Sequence, residues 1–215
     1  MKSELLNVTE IFRSLQGECR SSGWPTTFVR LTGCPLRCSY CDTEYAFHGG
    51  EKMSVDSILA KVVEFRNRRV TITGGEPLIQ KGVYSLMRKL CDDGYEVSLE
   101  TGGMLPVSEV DERVERVIDL KTPGSGEVDS NCWDNIAELN SKDQLKIVVK
   151  DRADYEWLLP LLTEHDLEQR CDVLLSAVAG ELSPTKLAGW IIEDELDVRL
   201  QLQLHKILWG DEQGR

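Results

Sequence analysis

The sequence predicts an α/β fold, an incomplete (β/α) barrel built on a mainly parallel, open sheet. Three observations predict it. Short β-rich runs alternate with helical patterns, which makes βαβ units and sets parallel strands side by side. The 215 residues fall short of the roughly 250 that a complete eight-unit barrel takes, and only six or seven strand patterns are discernible. The peptides richest in Gly, Cys and Pro sit where strands end, the place where such sheets gather their functional groups.

Taken in order, the strand patterns cover residues 27–31, 70–73, 96–100, 116–120, 145–149, 173–176 and 198–202, most of them short runs dominated by β-branched and other apolar residues. Helices lie between them. One opens at a Ser54 cap and carries Val55, Ile58, Leu59, Val62 and Val63 at the spacing of an amphipathic helix. A second carries Val83, Leu86, Met87, Leu90 and Cys91 and stops at Gly94. Both stripes are core surfaces. Gly33-Cys34-Pro35 follows the first strand, Gly74-Gly75-Glu76-Pro77 the second, Thr101-Gly102-Gly103 the third and Lys121-Thr122-Pro123-Gly124 the fourth. No low-complexity tract, charge block or linker divides the chain, so residues 1–215 read as one domain.

Composition narrows the function classes. Twenty-five Lys and Arg against 37 Asp and Glu give a net charge of −12, which opposes a phosphate backbone or an anionic membrane surface. No apolar run reaches the roughly 20 residues that span a bilayer, and the opening residues lack the apolar centre of a signal peptide. The expectation is a cytosolic protein that binds neither nucleic acid nor membrane. Seven cysteines, an odd number, in a reducing compartment argue against a disulfide framework. Cys19, Cys91, Cys132 and Cys171 are scattered and read as packing thiols.

Cys34, Cys38 and Cys41 are different, crowding into eight residues at C-x3-C-x2-C spacing. Three thiolates on one loop can converge on a soft-metal centre. A structural zinc site wants a fourth ligand, for which His48 is the nearest candidate. An iron–sulfur cluster with one iron left open is the sharper reading, because that iron can coordinate a substrate or cofactor. The spacing, with Tyr40 before the last cysteine, resembles the signature of radical S-adenosylmethionine enzymes. Gly74-Gly75-Glu76-Pro77 resembles that superfamily's methionine-binding motif.

Ser14-Leu15-Gln16-Gly17-Glu18, Phe28-Val29-Arg30-Leu31, Cys41-Asp42-Thr43, Ser98-Leu99-Glu100-Thr101 and Leu204-His205-Lys206 together resemble the 7-carboxy-7-deazaguanine synthase family over nearly the whole chain. The resemblance implies contraction of 6-carboxy-5,6,7,8-tetrahydropterin to 7-carboxy-7-deazaguanine with loss of ammonia, on the route to queuosine and related deazapurines. It implies a radical SAM fold, a homodimer, magnesium, and an external one-electron reductant of flavodoxin or ferredoxin type. It further implies a [4Fe–4S] cluster on Cys34, Cys38 and Cys41, with S-adenosylmethionine cleaved to a 5′-deoxyadenosyl radical.

Residue by residue, the resemblance gives Leu15, Gln16 and Gly17 the pterin edge, Arg30 the pterin carboxylate and Thr73 a second substrate contact. A planar guanidinium suits a carboxylate. Thr43 supplies a magnesium ligand, Asp42 being the alternative. Tyr40, Cys41, Asp42, Gly75, Glu76, Glu100, Asp119, Leu120, Lys121 and Ser176 lie against S-adenosylmethionine. Glu76 has another reading, as a residue favoured beside a helix N-terminus. The sequence departs from the family's common pattern at Cys19, Gly102 and Ala177, and its tail from Gly210 to Arg215 runs on. A glycyl-radical activase, which needs no Gln16, Arg30 and Thr43 together, and a zinc-stabilised binding module are the competing classes.

Overall fold

The computed structural model describes residues 4–210 and 212–214. Met1, Lys2 and Ser3 of the opening segment and Asp211 and Arg215 of the tail lie outside the described residues. The described chain builds one nine-stranded sheet. Its strands are β1 (Leu5–Leu15), β2 (Pro25–Leu31), β3 (Glu51–Ser54), β4 (Arg69–Gly74), β5 (Glu96–Thr101), β6 (Glu115–Asp119), β7 (Gln144–Val149), β8 (Asp172–Ala177) and β9 (Arg199–Leu200). The order is β3-β1-β2-β4-β5-β6-β7-β8-β9. From β2 to β9 every pairing is parallel, while β1 runs antiparallel to both β2 and β3. Strands β3 and β9 remain unpaired edges, so the sheet is open.

Seven parallel strands in chain order wind in one sense, and right-handed crossovers then put the connecting helices on one face. The helices are α1 (Val55–Glu64), α2 (Gly82–Asp92), α3 (Asp134–Glu138), α4 (Arg152–Glu164), α5 (Leu167–Arg170), α6 (Pro184–Glu193) and α7 (Leu204–Trp209). The pleat sorts the side chains. Val29, Leu31, Val70, Ile72, Leu99 and Ile147 point to the helical side and join the main apolar core. The alternate residues Phe28, Arg30, Thr73, Glu100, Asp119, Lys146 and Val148 line a cavity on the opposite face. Arg116 is a charged residue on the helical side, buried there against Asp143.

The structure adds strands β1 and β3 to the expected set and narrows the stripe of one expected helix. A bulge between Val8 and Glu10 shifts the register of β1 against β2. Before it, Leu6 and Val8 enter the core; after it, the even-numbered Phe12 lines the cavity. The extra residue inverts the alternation, so no continuous period of two survives in the sequence. In α1 the Ser54 cap holds, its hydroxyl accepting from the Ser57 N–H at 3.1 Å. Val55, Ile58 and Val62 are buried, but Val63 is 60% exposed and lies outside the stripe it was read into. No helix among the described residues is long and apolar enough to cross a membrane.

Candidate active site

A cavity of about 920 Å³ opens beyond the C-terminal ends of the parallel strands. The loop after β2 brings all three motif cysteines to its wall, each a free thiol. Burial pushes each of the three thiols above its usual pKa, opposed by the Leu36 backbone at Cys34, the Lys121 ammonium at Cys38 and the Thr43 backbone at Cys41. Such thiols lose their protons on binding a metal centre. Among the described residues no three His, Cys, Asp or Glu side chains are gathered round the position of a single metal ion. His48 is exposed and off the cavity wall, so the zinc reading has no fourth ligand there.

The Gly74-Gly75 turn is packed against the cysteine loop. Gly75 N–H donates to the Leu31 carbonyl at 3.0 Å and Glu76 N–H to the Gly33 carbonyl at 2.7 Å. A Cβ at Gly75 would collide with that same Gly33 carbonyl, so only glycine lets the two strand-end loops meet. Glu76 stands behind this wall. It is fully buried and its carboxylate accepts from the Leu78 N–H, the Thr101 hydroxyl and the Gly102 N–H, at 3.0, 2.9 and 2.7 Å. Burial raises its pKa against those donors. Glu76 therefore caps the short 3-10 turn Pro77–Ile79 and ties the ends of β4 and β5, with no surface on the cavity.

On the other side of the cavity Arg30 reaches in from β2. Its Nε donates to Glu10, directly opposite on β1, at 2.8 Å. The rings of Phe12 and Tyr45 lie 5.6 and 5.8 Å from the guanidinium, and the Tyr45 hydroxyl also donates to Glu10 at 2.8 Å. The Arg30 side chain is thus held by charge and by two ring faces. Glu100, from β5, accepts from the Thr73 hydroxyl at 2.9 Å and from the Gln16 amide at 3.1 Å. Burial and the nearby Glu18 charge raise its pKa, with the Lys146 charge and Thr73 opposing.

Gln16 spends its whole side chain inside the fold. Its amide also donates to Thr71, at 3.1 Å, and its Oε1 accepts from the Glu18 N–H at 3.2 Å. Its backbone pairs with Trp24 and Gly23. Gln16 accordingly fixes Glu100 and the turn after β1. Gly17 meets α7, its carbonyl accepting from Leu204 N–H at 2.9 Å. Thr43 donates to Asp42 at 2.7 Å, and His205 Nε2 lies 3.7 Å from the same carboxylate. Burial works against ionised Asp42, but the nearby His205 imidazole, the hydrogen bond from Thr43 and the Lys146 charge hold its pKa below the ordinary range.

The structure brings most of the expected residues to one cavity: Leu15, Gln16, Gly17, Arg30, Thr73, Tyr40, Asp42, Thr43, Gly75, Glu100, Asp119 and Lys121, with the three cysteines. Three expected residues do not line it. Glu76 is one. Leu120 turns its side chain into the apolar core, because the pleat after Asp119 faces it away. Ser176 is fully buried and donates to the Gln201 carbonyl at 2.9 Å, tying β8 to the segment after β9.

Other lining residues have no site role in the sequence reading. Glu18, Lys146, Gln203 and His205 line the cavity, as do Gly210, Glu212, Gln213 and Gly214 of the tail. Lys146 carried a signal, the one charge in strand β7. Glu10 had none, since it lies in the strand that the bulge concealed. The site also has features that suit a polar cofactor. Asp119 Oδ1 is buried without a hydrogen-bond partner, and Asp119 lines the same cavity as the three thiols and Gly75.

Comparison with known proteins completes the description. Residues 28–125 match the Radical SAM superfamily. The 7-carboxy-7-deazaguanine synthase of Chlorobaculum tepidum is 46% identical over 208 residues, 95% of this chain and 94% of that one. That of Koribacter versatilis is 42% identical over 222 residues, covering 96% and 98%. The crystal structure of QueE from Escherichia coli superposes with a TM-score of 0.74 at 26% identity, over 94% of this chain and 95% of that chain. SuiB of Streptococcus suis, bound to its precursor peptide SuiA, shares the fold alone, with a TM-score of 0.58 at 13% identity.

Proposed function

The chain belongs to the 7-carboxy-7-deazaguanine synthase family of radical SAM enzymes, and from that premise we propose how its residues divide the work of contracting 6-carboxy-5,6,7,8-tetrahydropterin to 7-carboxy-7-deazaguanine with loss of ammonia. One observation carries the assignment: a single cavity joins three thiols from one loop to a ring-clamped arginine on the strand that leads into it. That pairing of a cluster loop with a carboxylate receptor favours a small acidic substrate over the partner protein that a glycyl-radical activase would engage.

The residues suit the cofactors. Cys34, Cys38 and Cys41 would hold the [4Fe–4S] cluster. Asp119 Oδ1, which lacks a partner, and the backbone around Gly75 would receive S-adenosylmethionine. Together these groups supply, when bound, the radical that removes one substrate hydrogen. The chain's own contribution is placement and exclusion of water. Arg30, with Nε committed to Glu10, offers its two Nη groups as a fork to the pterin carboxylate. Leu15, Gln16 and Gly17 meet the pterin edge and Thr73 makes a second substrate contact, while Glu100, held by Gln16 and Thr73, lies on the S-adenosylmethionine side.

Thr43 would give magnesium one oxygen, the Thr43 hydroxyl hydrogen being engaged by Asp42 and the remaining positions falling to substrate and water. An external one-electron carrier would reduce the cluster. A homodimer is part of the proposal, with Trp24, Leu202, Ile207 and Leu208 as exposed apolar surface to bury; sedimentation at the mass of a monomer would remove that part.

The test is anaerobic incubation of the cluster-loaded protein with S-adenosylmethionine, a reductant and the carboxypterin, with and without magnesium, followed by mass spectrometry. Deazaguanine product that rises with magnesium is expected. Uncoupled 5′-deoxyadenosine with no deazaguanine would overturn the substrate, and product independent of magnesium would overturn the role of Thr43.

A further inference from the structure

Lys146 has no part in the assignments above, yet it lines the cavity. It stands on β7 directly opposite Asp119 of β6. Its Nζ is bonded to Glu18 Oε2 and lies 3.9 Å from Asp119 Oδ2. That Asp119 oxygen is taken by Lys121 at 3.0 Å, while Oδ1 is buried and unpartnered. Glu18 in turn accepts from the Gln203 amide at 3.0 Å. The side chains of Glu18, Lys146, Asp119 and Lys121 are 11%, 16%, 18% and 9% exposed. Charges so withdrawn from water act on each other strongly.

We propose that Lys146 is a positioning residue that couples the two halves of the cavity. Glu18, which follows the segment assigned to the pterin, and Asp119, assigned to S-adenosylmethionine, share its one ammonium. This inference rests on the functional reading above and deepens it. An ammonium has three donors and swings on a flexible stem. While Glu18 holds it, Lys146 stays beyond hydrogen-bond distance of Asp119, and Oδ1 is left for a cofactor hydroxyl or ammonium. When Glu18 no longer holds it, Lys146 closes on Asp119 and competes with the cofactor there. The state of the substrate-side carboxylate is thereby read at the cofactor side, 101 positions away in sequence, through one side chain.

A purely structural ion pair would alter stability and leave cofactor affinity alone, so the test reads affinity. S-adenosylmethionine is titrated calorimetrically into anaerobic, cluster-loaded wild type, Glu18→Gln, Lys146→Met and the double variant. Thermal unfolding of each is recorded in parallel. Glu18→Gln should weaken binding by roughly fivefold or more, the scale of ordinary coupling between sites. In the Lys146→Met background the same change should move affinity less than about twofold. Should Lys146→Met not fold, Lys146→Gln, which still donates to Glu18 but carries no charge, takes its place. An equal effect of Glu18→Gln in both backgrounds, or none in either, overturns the coupling while leaving the cofactor reading intact. Failure of the wild type to bind S-adenosylmethionine removes that reading, and the coupling with it.

Discussion

Arg30 is held by three neighbours before any ligand arrives: Glu10 at its Nε and the rings of Phe12 and Tyr45 beside its plane. Pre-orientation of this kind places the remaining donors without further entropy cost at binding. Arg30→Ala should therefore keep cluster and S-adenosylmethionine binding while catalytic efficiency falls. Loss of a charged hydrogen-bond partner costs about 1.5–3 kcal/mol, a roughly tenfold to hundredfold drop in kcat/KM. Arg30→Lys should recover only part, since an ammonium restores charge but not the fork. Steady-state kinetics on the carboxypterin checks both. Glu76 makes a contrasting case, because its three donors are all within the fold. Glu76→Gln sets an amide N–H2 against N–H groups it cannot accept from, and should cost about 1–3 kcal/mol of stability in thermal unfolding. Arg30 could be read from the sequence as a lone charge in a buried strand. Whether Glu76 faces a ligand or its own turn could not, since both readings ask for an acid after Gly-Gly at a strand end.

At the scale of elements, the parallel strands were legible because most are short runs dominated by apolar residues, and glycine marked the ends of β2, β4 and β5. Strand β1 was not, since the bulge between Val8 and Glu10 reverses which parity faces the core. With β1 went Glu10 and Phe12, and so the means by which Arg30 is held. Helix α7 was legible only as the peptide Leu204-His205-Lys206. Its closeness to the turn after β1 shows in the hydrogen bond from Leu204 to Gly17 and in the His205 ring against Gly17. A Cβ at Gly17 would run into His205 Nδ1. Gly17→Ala should push α7 away from the cavity. The expected result is faster amide hydrogen exchange across residues 204–209 and a raised KM for the pterin, with unchanged exchange in β4 and β5. Exchange in α7 equal to wild type would show that the helix does not depend on this approach.

At the scale of the molecule, a net charge of −12 surrounds a cavity that keeps Arg30, Lys121 and Lys146 on its wall. Lys121 and Lys146 are engaged by Asp119 and Glu18, so a small carboxylate is drawn at short range to Arg30, whereas a polyanion meets the whole field. Full-length tRNA should show no retarded band in a gel shift at physiological salt, and raising the salt should not change that. A salt-sensitive complex would contradict it. The winding of the sheet bears also on how the molecule is made. Each strand from β4 to β9 pairs with a neighbour already synthesised, so the sheet can lengthen strand by strand as the chain leaves the ribosome. The cysteine loop is in place early in that sequence, but the wall contributed by Gln203, His205, Lys206, Gly210, Glu212, Gln213 and Gly214 arrives after every strand. A nascent chain thus presents its three thiols on a half-built, water-filled basin, and the enclosure that a radical needs is withheld until synthesis has passed the last strand.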